Sequence, residues 1–260
     1  MFRHQGSARS DRQNRLLAGH LAFVGGFVNS VGFVLIGTFT SHVTGIVGRA
    51  TNDLARAQFE AAGAASTMIF AFFFGAFVSS VIVESSFLGH ASRAYALALF
   101  LEGAILTAFS LWTWGTWTAA HPRLMDAQGH LLCLAMGMQN SLVTRLSGAV
   151  VRTTHLTGVV TDLGIEVARW FRFWRKSASD KLHVRLVAGR NAAEVPHLPK
   201  ILLLATIAGA FSFGALLGAL LAVRLHHGTT FIAALAVFTF ALFAVRDGDP
   251  TKRDVVASRR

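Results

Sequence analysis

The alternation of apolar and polar stretches along the chain predicts its main elements. Six apolar runs each approach the ~20 residues that a helix needs to cross ~30 Å of hydrocarbon. The first run follows a basic start, yet it is too long for a signal-peptide core and more runs follow, so we expect an uncleaved helix. The pattern predicts an all-α, polytopic membrane protein with six transmembrane helices. These runs cover residues 16–36, 61–84, 93–113, 128–150, 198–223 and 227–246.

Two other segments do not fit this scheme. Residues 38–57 read TFTSHVTGIVGRATNDLARA, and residues 151–172 read VRTTHLTGVVTDLGIEVARWFR. Both are compatible with a helix after their Ser/Thr clusters, but both are too polar for a span that faces lipid. We therefore predict two polar broken or half helices in addition to the six spans.

The two polar segments are also similar to each other, which indicates an internal repeat. A shift of 111 residues matches Gly26, Asn29 and Ser30 with Gly137, Asn140 and Ser141. A shift of 113 residues gives seven identities between residues 40–56 and their equivalents. The chain is thus predicted to contain two pseudo-symmetric repeats. The identities are Thr40 with Thr153, His42 with His155, Thr44 with Thr157, Gly45 with Gly158, Val47 with Val160, Ala55 with Ala168 and Arg56 with Arg169.

The domain boundaries follow from the repeat and the basic segments. We predict a first membrane repeat over 16–120 and a second over 121–246, the latter interrupted by a basic cytoplasmic loop at 173–197. A basic cytoplasmic N-terminus precedes them at 1–15, and a cytoplasmic tail follows at 247–260. If the polar helices do not cross the membrane, each repeat has three spans and the repeats are inverted, which is the arrangement we predict. If they do cross, the chain has eight spans and parallel repeats.

Composition and charge support a membrane protein. Hydrophobic residues make up 53% of the chain, charged residues only 14%, and the mean hydropathy is +0.52. The net charge is +11, and sixteen of the twenty-four Lys and Arg residues lie in 1–15, 172–200 and 246–260, outside the apolar runs or at their ends. The positive-inside rule places such segments in the cytoplasm. No nucleic-acid partner is expected, because no aromatic residues interleave with these basic clusters at a base-binding spacing.

The paired motifs resemble those of a known family. GGFVNSVGFVLIGTFTSHVTG in the first half, and GMQNSLVTRLSG with VRTTHLTG in the second, are similar to the YoaK family, the DUF1275 group of bacterial integral membrane proteins. The resemblance covers residues 16–246 and implies six transmembrane helices in the bacterial inner membrane, but no established activity. The family often has Asp at the position of Asn29 and usually Asn at that of Ile46. If either polar group served ion coupling in relatives, the resemblance would not imply that role for this chain.

The paired breaks are the candidate site. A helix that begins inside the membrane exposes free N–H groups and the positive end of its dipole, and secondary transporters use such broken helices near the midplane. The alternative is that the breaks are pseudo-symmetric packing motifs, because hydroxyls and small residues also pack transmembrane helices. The candidate substrate-binding residues are Asn29, Thr40, Ser41, His42, Thr44, Gly45, Asn140, Thr153, Thr154, His155, Thr157 and Gly158.

Three titratable residues stand out. His42 and His155 are structural or capping residues in one interpretation and substrate or proton contacts in a second. A metal or haem pair is the least supported, because no further ligands are evident. Glu102 lies midway along an apolar run, where a carboxylate is a candidate for proton coupling. Its alternative is a neutral hydrogen bond between helices.

The motifs of soluble and ATP-driven enzymes are absent from the sequence: it has no G-x-S-x-G, HExxH, P-loop or dinucleotide fingerprint. We expect no enzyme activity, no metal and no cofactor. The leading hypothesis is a secondary transporter or permease for a small solute, with anions as one candidate class, and with a midplane site between the paired helix breaks. The alternative is a non-transporting membrane protein that serves assembly or ligand sensing. The expected partners are the lipid bilayer, a small molecule or ion, and a second copy in a homodimer, for which the many small residues are suited.

Overall fold

The computed structural model describes residues 10–85, 91–115, 122–147, 151, 153–176 and 197–247. In this part of the chain all regular secondary structure is helical, which confirms the all-α prediction. Residues 1–9, most of the predicted loop 173–197 and residues 248–260 of the predicted tail lie outside the described residues. The helices are α1 (Asp11–Ile36), α2 (Val43–Ala55), α3 (Phe59–Glu84), α4 (Ala91–Gly115), α5 (Pro122–Ser147), α6 (Leu156–Arg175), α7 (Leu198–Leu225) and α8 (Thr229–Asp247), with a 3-10 turn at His226–Gly228 between α7 and α8.

Local sequence explains where α1 begins and ends. Ser10 accepts a hydrogen bond from the backbone of Gln13, and the Gln13 side chain accepts one from the backbone of Ser10. This capping box starts the helix five residues before the apolar run does. At the other end Gly37 adopts a left-handed conformation, with φ of 71°, that stops the helix and lets the chain turn back.

Five of the described helices are long and apolar enough to cross a membrane: α1, α3, α4, α7 and α8. The chain is accordingly a polytopic helical membrane protein. Helix α5 contains the fourth predicted run but is not among these five, because it carries polar side chains along its length. Two of them, Gln128 and Gln139, are buried against neighbouring helices.

Glycines allow the closest helix pairs to form. Where α1 meets α7, a Cβ at Gly26 would overlap the carbonyl oxygen of Phe211, and a Cβ at Gly214 would overlap that of Phe23. The two helices are parallel, because Gly214 lies against Phe23 and, one turn later on both helices, Gly218 lies against Phe27. Small residues let helix backbones approach within van der Waals distance in membranes.

Helices α3 and α5 pack in the same manner. A Cβ at Gly75 would overlap the carbonyl oxygen of Leu134, and one at Gly137 would overlap that of Phe72. These helices are also parallel. Thr67 of α3 contacts His130 of α5, and further along both helices Ser80 contacts Ser141.

Helix α1 runs antiparallel to α5. The side chain of Gln139 donates to the carbonyl oxygen of Leu21 at 2.8 Å, whereas Leu132 lies beside Gly32 further along α1. Because α3 is parallel to α5, α3 is antiparallel to α1. The chain therefore reverses direction between the end of α1 and the start of α3.

Helices α2 and α6 contact the bundle only along a narrow strip. On α2 only Ile46 is buried, in a small cluster with Ala65, Met68 and Cys133. On α6 the buried residues are Val159 and Glu166. The other side chains of both helices are partly or fully exposed in this single chain.

An ion-pair cluster fixes α6 to the start of α7. One oxygen of Glu166, which is 2% exposed, accepts from Lys200 Nζ at 3.0 Å and from Arg169 Nη1 at 2.8 Å. Burial by itself raises the pKa of Glu166, but Lys200, Arg169 and the backbone N–H of His197 outweigh burial and lower that pKa below its usual range.

The cluster predicts a stability that depends on pH. A carboxyl group whose pKa is lowered by folding stabilises the fold above its unfolded-state pKa of about 4.3, and this contribution is lost as pH falls through the lower folded value. Both cations are partly exposed and can be hydrated, so we expect Glu166→Gln to cost about 1–2 kcal/mol at pH 7. Thermal unfolding of the purified protein measures the loss, which should shrink as the pH falls below about 4. Asp162→Asn, on an exposed position of the same helix, is the control and should change little; an equal effect of the two variants would contradict the assignment.

Candidate functional site

The first break lies between α1 and α2. After Gly37 the chain returns alongside α1, and the side-chain oxygen of Asn29 accepts from the backbone N–H of Ser41 at 3.0 Å and from its hydroxyl at 2.9 Å. The methyl group of Thr40 packs against Gly32. Asn29 therefore holds the break against the C-terminal part of α1.

The second break repeats this arrangement between α5 and α6. The side-chain oxygen of Asn140 accepts from the hydroxyl of Thr154 at 2.6 Å, and its amide donates to the carbonyl oxygen of Met136 at 2.8 Å. Thr154 occupies the position equivalent to Ser41 in the shift of 113 residues. The structure thus brings each predicted asparagine onto its own predicted break.

Three buried polar groups at the breaks have no hydrogen-bond partner among the described residues. They are the hydroxyls of Thr40 and Thr153, which are equivalent in the repeat, and the side-chain oxygen of Gln139. All three residues are fully buried. A buried polar group without a protein partner is unusual, so these three groups keep hydrogen-bonding capacity at the breaks.

The two breaks reach the same part of α1. The Thr154 methyl group and the Gln139 side chain lie beside Gly25, while Ser41 is bound to Asn29 one helical turn later. Four residues of α-helix rise about 6 Å, so the breaks approach the middle of the bundle from opposite ends and nearly meet.

Each half helix begins at a histidine. His42 and His155 are the N-cap residues of α2 and α6, and neither side chain makes a capping hydrogen bond. Both side chains are exposed. The first N–H groups of α2 and α6 have no partner within their own helix, so each half helix presents N–H groups and a positive dipole end.

The remaining candidates fall into two groups. Thr44 and Thr157 lie in the first turns of α2 and α6 and are exposed. Glu102 lies on α4, a helix that packs chiefly against α8 and α5. It is fully buried, and among the described residues neither of its carboxylate oxygens has a hydrogen-bond partner.

Some residues of the site are missed by sequence reasoning. Gln139 precedes Asn140 directly, but its equivalent in the first half is Val28, so the repeat gives no signal for it. Arg49 donates to the hydroxyl of Thr38 at 2.7 Å. It also forms ion pairs of 3.6 Å with Asp53 and with Asp126 of α5. The i,i+4 spacing of Arg49 and Asp53 indicates that pair, whereas the contact with α5 is not visible in the sequence.

The glycines that follow the histidines make room for the imidazole rings. A Cβ at Gly45 would lie 2.9 Å from His42 Nδ1, and one at Gly158 would lie 3.0 Å from His155 Nδ1. Gly45→Ala and Gly158→Ala should therefore displace the rings, which are mobile side-chain ends, and change stability by less than about 1 kcal/mol.

Gly48→Ala on α2 and Gly164→Ala on α6 are matched controls, because a Cβ at either position meets no atom within 4 Å. We expect all four variants to unfold at nearly the wild-type temperature. Only Gly45→Ala and Gly158→Ala should alter the environment of the ring protons in an NMR spectrum of labelled histidine. Unchanged ring signals in those two variants would exclude the packing described.

Anion binding is the chemistry that this arrangement favours, because helix N-termini and hydroxyl groups supply hydrogen-bond donors. In the described part of the chain no group of three or more His, Cys, Asp and Glu side chains could hold a metal ion. Fold and site together define a polytopic helical membrane protein in which two polar helices, α2 and α6, each follow a helix break. The chain belongs to the family described as Protein of unknown function (DUF1275), whose model matches residues 17–245 and confirms the resemblance. Neither the curated proteins nor the solved structures contain a match to this chain.

Proposed function

We propose that the protein is a secondary transporter or permease for a small anion, which it binds between the two helix breaks. The observation that carries the proposal is the matched pair of breaks, each held by an asparagine and each followed by a half helix. The unpartnered hydroxyls of Thr40 and Thr153 support it, because they leave hydrogen-bonding capacity at both breaks. Paired half helices that meet near the midplane are a recurrent way to bind a solute in secondary transporters.

The proposed architecture has six spans, formed by α1, α3, α4, α5, α7 and α8, in two inverted repeats. The packing supports inversion. Helix α1 is antiparallel to its equivalent α5, and α4 is antiparallel to α8, since Ser110 contacts Thr230 while Gly103 contacts Phe238. The reversal of direction between α1 and α3 favours a half helix α2 that enters and leaves on the same side of the membrane. It argues against the alternative with eight spans.

We propose the inner membrane of a bacterium as the location, with both termini in the cytoplasm. The basic residues near the two termini and after α6 support this orientation through the positive-inside rule. An impermeant maleimide tests it on cells that carry Cys133→Ser and a single cysteine at Ala120. Labelling of intact cells is expected, and labelling only after permeabilisation would contradict the inverted topology.

Glu102 is proposed as the group that couples transport to protons. A buried carboxyl group can carry a proton across the hydrocarbon layer without exposing a charge. Glu102→Gln keeps the shape and removes the exchangeable proton, so uptake driven by a pH gradient should stop while solute exchange continues. Glu60→Gln, on an exposed position of α3, is the control. Gradient-driven uptake at the wild-type rate in Glu102→Gln would exclude this role.

The transport proposal is tested with purified protein in liposomes and a panel of small monovalent and divalent anions. We first expect one anion class to raise the thermal unfolding temperature, and then expect that class to cross the liposome membrane. The double variant His42→Ala/His155→Ala should lower the affinity for that anion, and its flux, at least tenfold. A tenfold loss corresponds to one lost charge-assisted contact of about 1.4 kcal/mol.

His226→Asn is the control for these histidines, because asparagine tolerates the positive φ of 50° at that position. Anion binding without flux would favour the alternative of a ligand-sensing protein. A folded protein that responds to no anion in the panel would exclude the proposed site.

A further inference from the structure

The last turns of α6 form an exposed surface with two chemically different flanks. With 3.6 residues per turn, Phe171 and Trp174 lie about 80–140° from the direction of the buried Glu166. Arg169 and Arg172 lie about 60–120° to the other side. Trp174 is 64% exposed and Phe171 50%, so the other described residues do not cover the aromatic flank.

The level of this surface relative to the membrane follows from the cluster of Glu166 and Lys200. Lys200 is the third residue of α7, an apolar helix of 28 residues that is long enough to span the hydrocarbon. Glu166 therefore lies near one surface of the membrane. The nine residues from 167 to 175 continue beyond it for about 13 Å of helix, which corresponds to the headgroup region.

The charges of this segment suit a phosphate group. Arg172 and Arg175 are exposed and three residues apart, so they can reach one anion together. The guanidinium of Arg175 lies 5.8 Å from the centre of the Phe171 ring, a contact that restricts its position. Arginine binds phosphate oxygens with two parallel hydrogen bonds, and tryptophan prefers the boundary between headgroups and acyl chains.

We propose that the C-terminal turns of α6, from Val167 to Arg175, are a binding surface for an anionic phospholipid. Arg172 and Arg175 bind the phosphate, and Trp170 and Trp174 insert beside the upper part of the acyl chains. A neutral phospholipid provides no net charge to complement these arginines, so the surface prefers phosphatidylglycerol to phosphatidylcholine. The surface is separate from the site at the breaks and does not depend on the transport proposal.

The experiment uses the full chain in a neutral detergent, titrated with phosphatidylglycerol or phosphatidylcholine and analysed by native mass spectrometry. We expect wild type to retain phosphatidylglycerol preferentially. Each basic residue near a membrane surface contributes a factor of about five in binding anionic lipid, so R172Q/R175Q should reduce the preference roughly thirtyfold. R56Q/R224Q removes the same charge at exposed positions on the opposite end of the bundle and should keep the preference.

A second measurement reports the position of the aromatic side chains. Phosphatidylglycerol with brominated acyl chains should quench the tryptophan fluorescence of wild type, and W170F/W174F should lose most of that quenching. An unchanged lipid preference in R172Q/R175Q, or an equal loss in R56Q/R224Q, would overturn the proposal. Displacement of the lipid by millimolar inorganic phosphate would also overturn it, because it would identify a site for free phosphate.

Discussion

Gly75→Ala and Gly214→Ala are expected to be among the most destabilising small substitutions in this protein, together with the same change at Gly26 and Gly137. In both cases the added methyl group overlaps a backbone carbonyl oxygen of the helix packed against it, that of Leu134 for Gly75 and that of Phe23 for Gly214. Overpacking commonly costs about 1–3 kcal/mol, and here the cost should reach or exceed the upper value, because the obstacle is backbone that cannot rotate away. Thermal unfolding and the yield of monodisperse protein after purification measure the effect.

The same two helices provide controls for this prediction. Gly63 on α3 and Gly209 on α7 have open space where a Cβ would be placed, with no atom within 4 Å. Alanine at these positions should leave stability unchanged or raise it by up to about 1 kcal/mol, since alanine favours a helix more than glycine does. If Gly209→Ala destabilised the protein as strongly as Gly214→Ala, the close approach of α1 and α7 would be wrong.

Replacement of Asn29 by leucine is expected to have the second largest effect. Leucine has a similar shape but accepts no hydrogen bond, so the buried backbone N–H and the hydroxyl of Ser41 both lose their partner. A buried donor left without an acceptor costs about 1–3 kcal/mol, and the two losses together should cost about 2–4 kcal/mol. The first break should also lose its fixed position, and the response to a bound anion should disappear.

Two further variants make this prediction specific. Asn29→Asp retains oxygen acceptors for both donors of Ser41 and should keep most of the stability. Asn140→Leu removes one acceptor, from the hydroxyl of Thr154, and should cost about half as much as Asn29→Leu. Unfolding in detergent ranks the three variants, and equal losses for Asn29→Asp and Asn29→Leu would contradict the role of Asn29 as an acceptor.

The sequence is informative about the site because the repeat presents the same chemistry twice. The equivalences of Thr40 with Thr153 and His42 with His155 locate both breaks before any contact is known. Gln139 escapes this reasoning, because its equivalent is a valine. Lys200 escapes it as well: the residue lies 34 positions after Glu166, and no spacing rule links residues at that separation.

The sequence by itself determines the helical character, five of the six predicted spans, and the two polar helices with the breaks that precede them. These features depend on hydropathy, on capping residues and on self-similarity, all of which are local or periodic along the chain. Only the tertiary structure decides which helices pair and in which direction they run. It shows that α1 lies along α7 and that α3 lies along α5. Apolar residues are needed on every lipid-facing side of a membrane helix, so hydropathy does not mark the face that meets another helix. Glycines do mark close contacts, but a glycine such as Gly209 that faces open space reads the same in the sequence as Gly214, and only the position of the neighbouring backbone separates them.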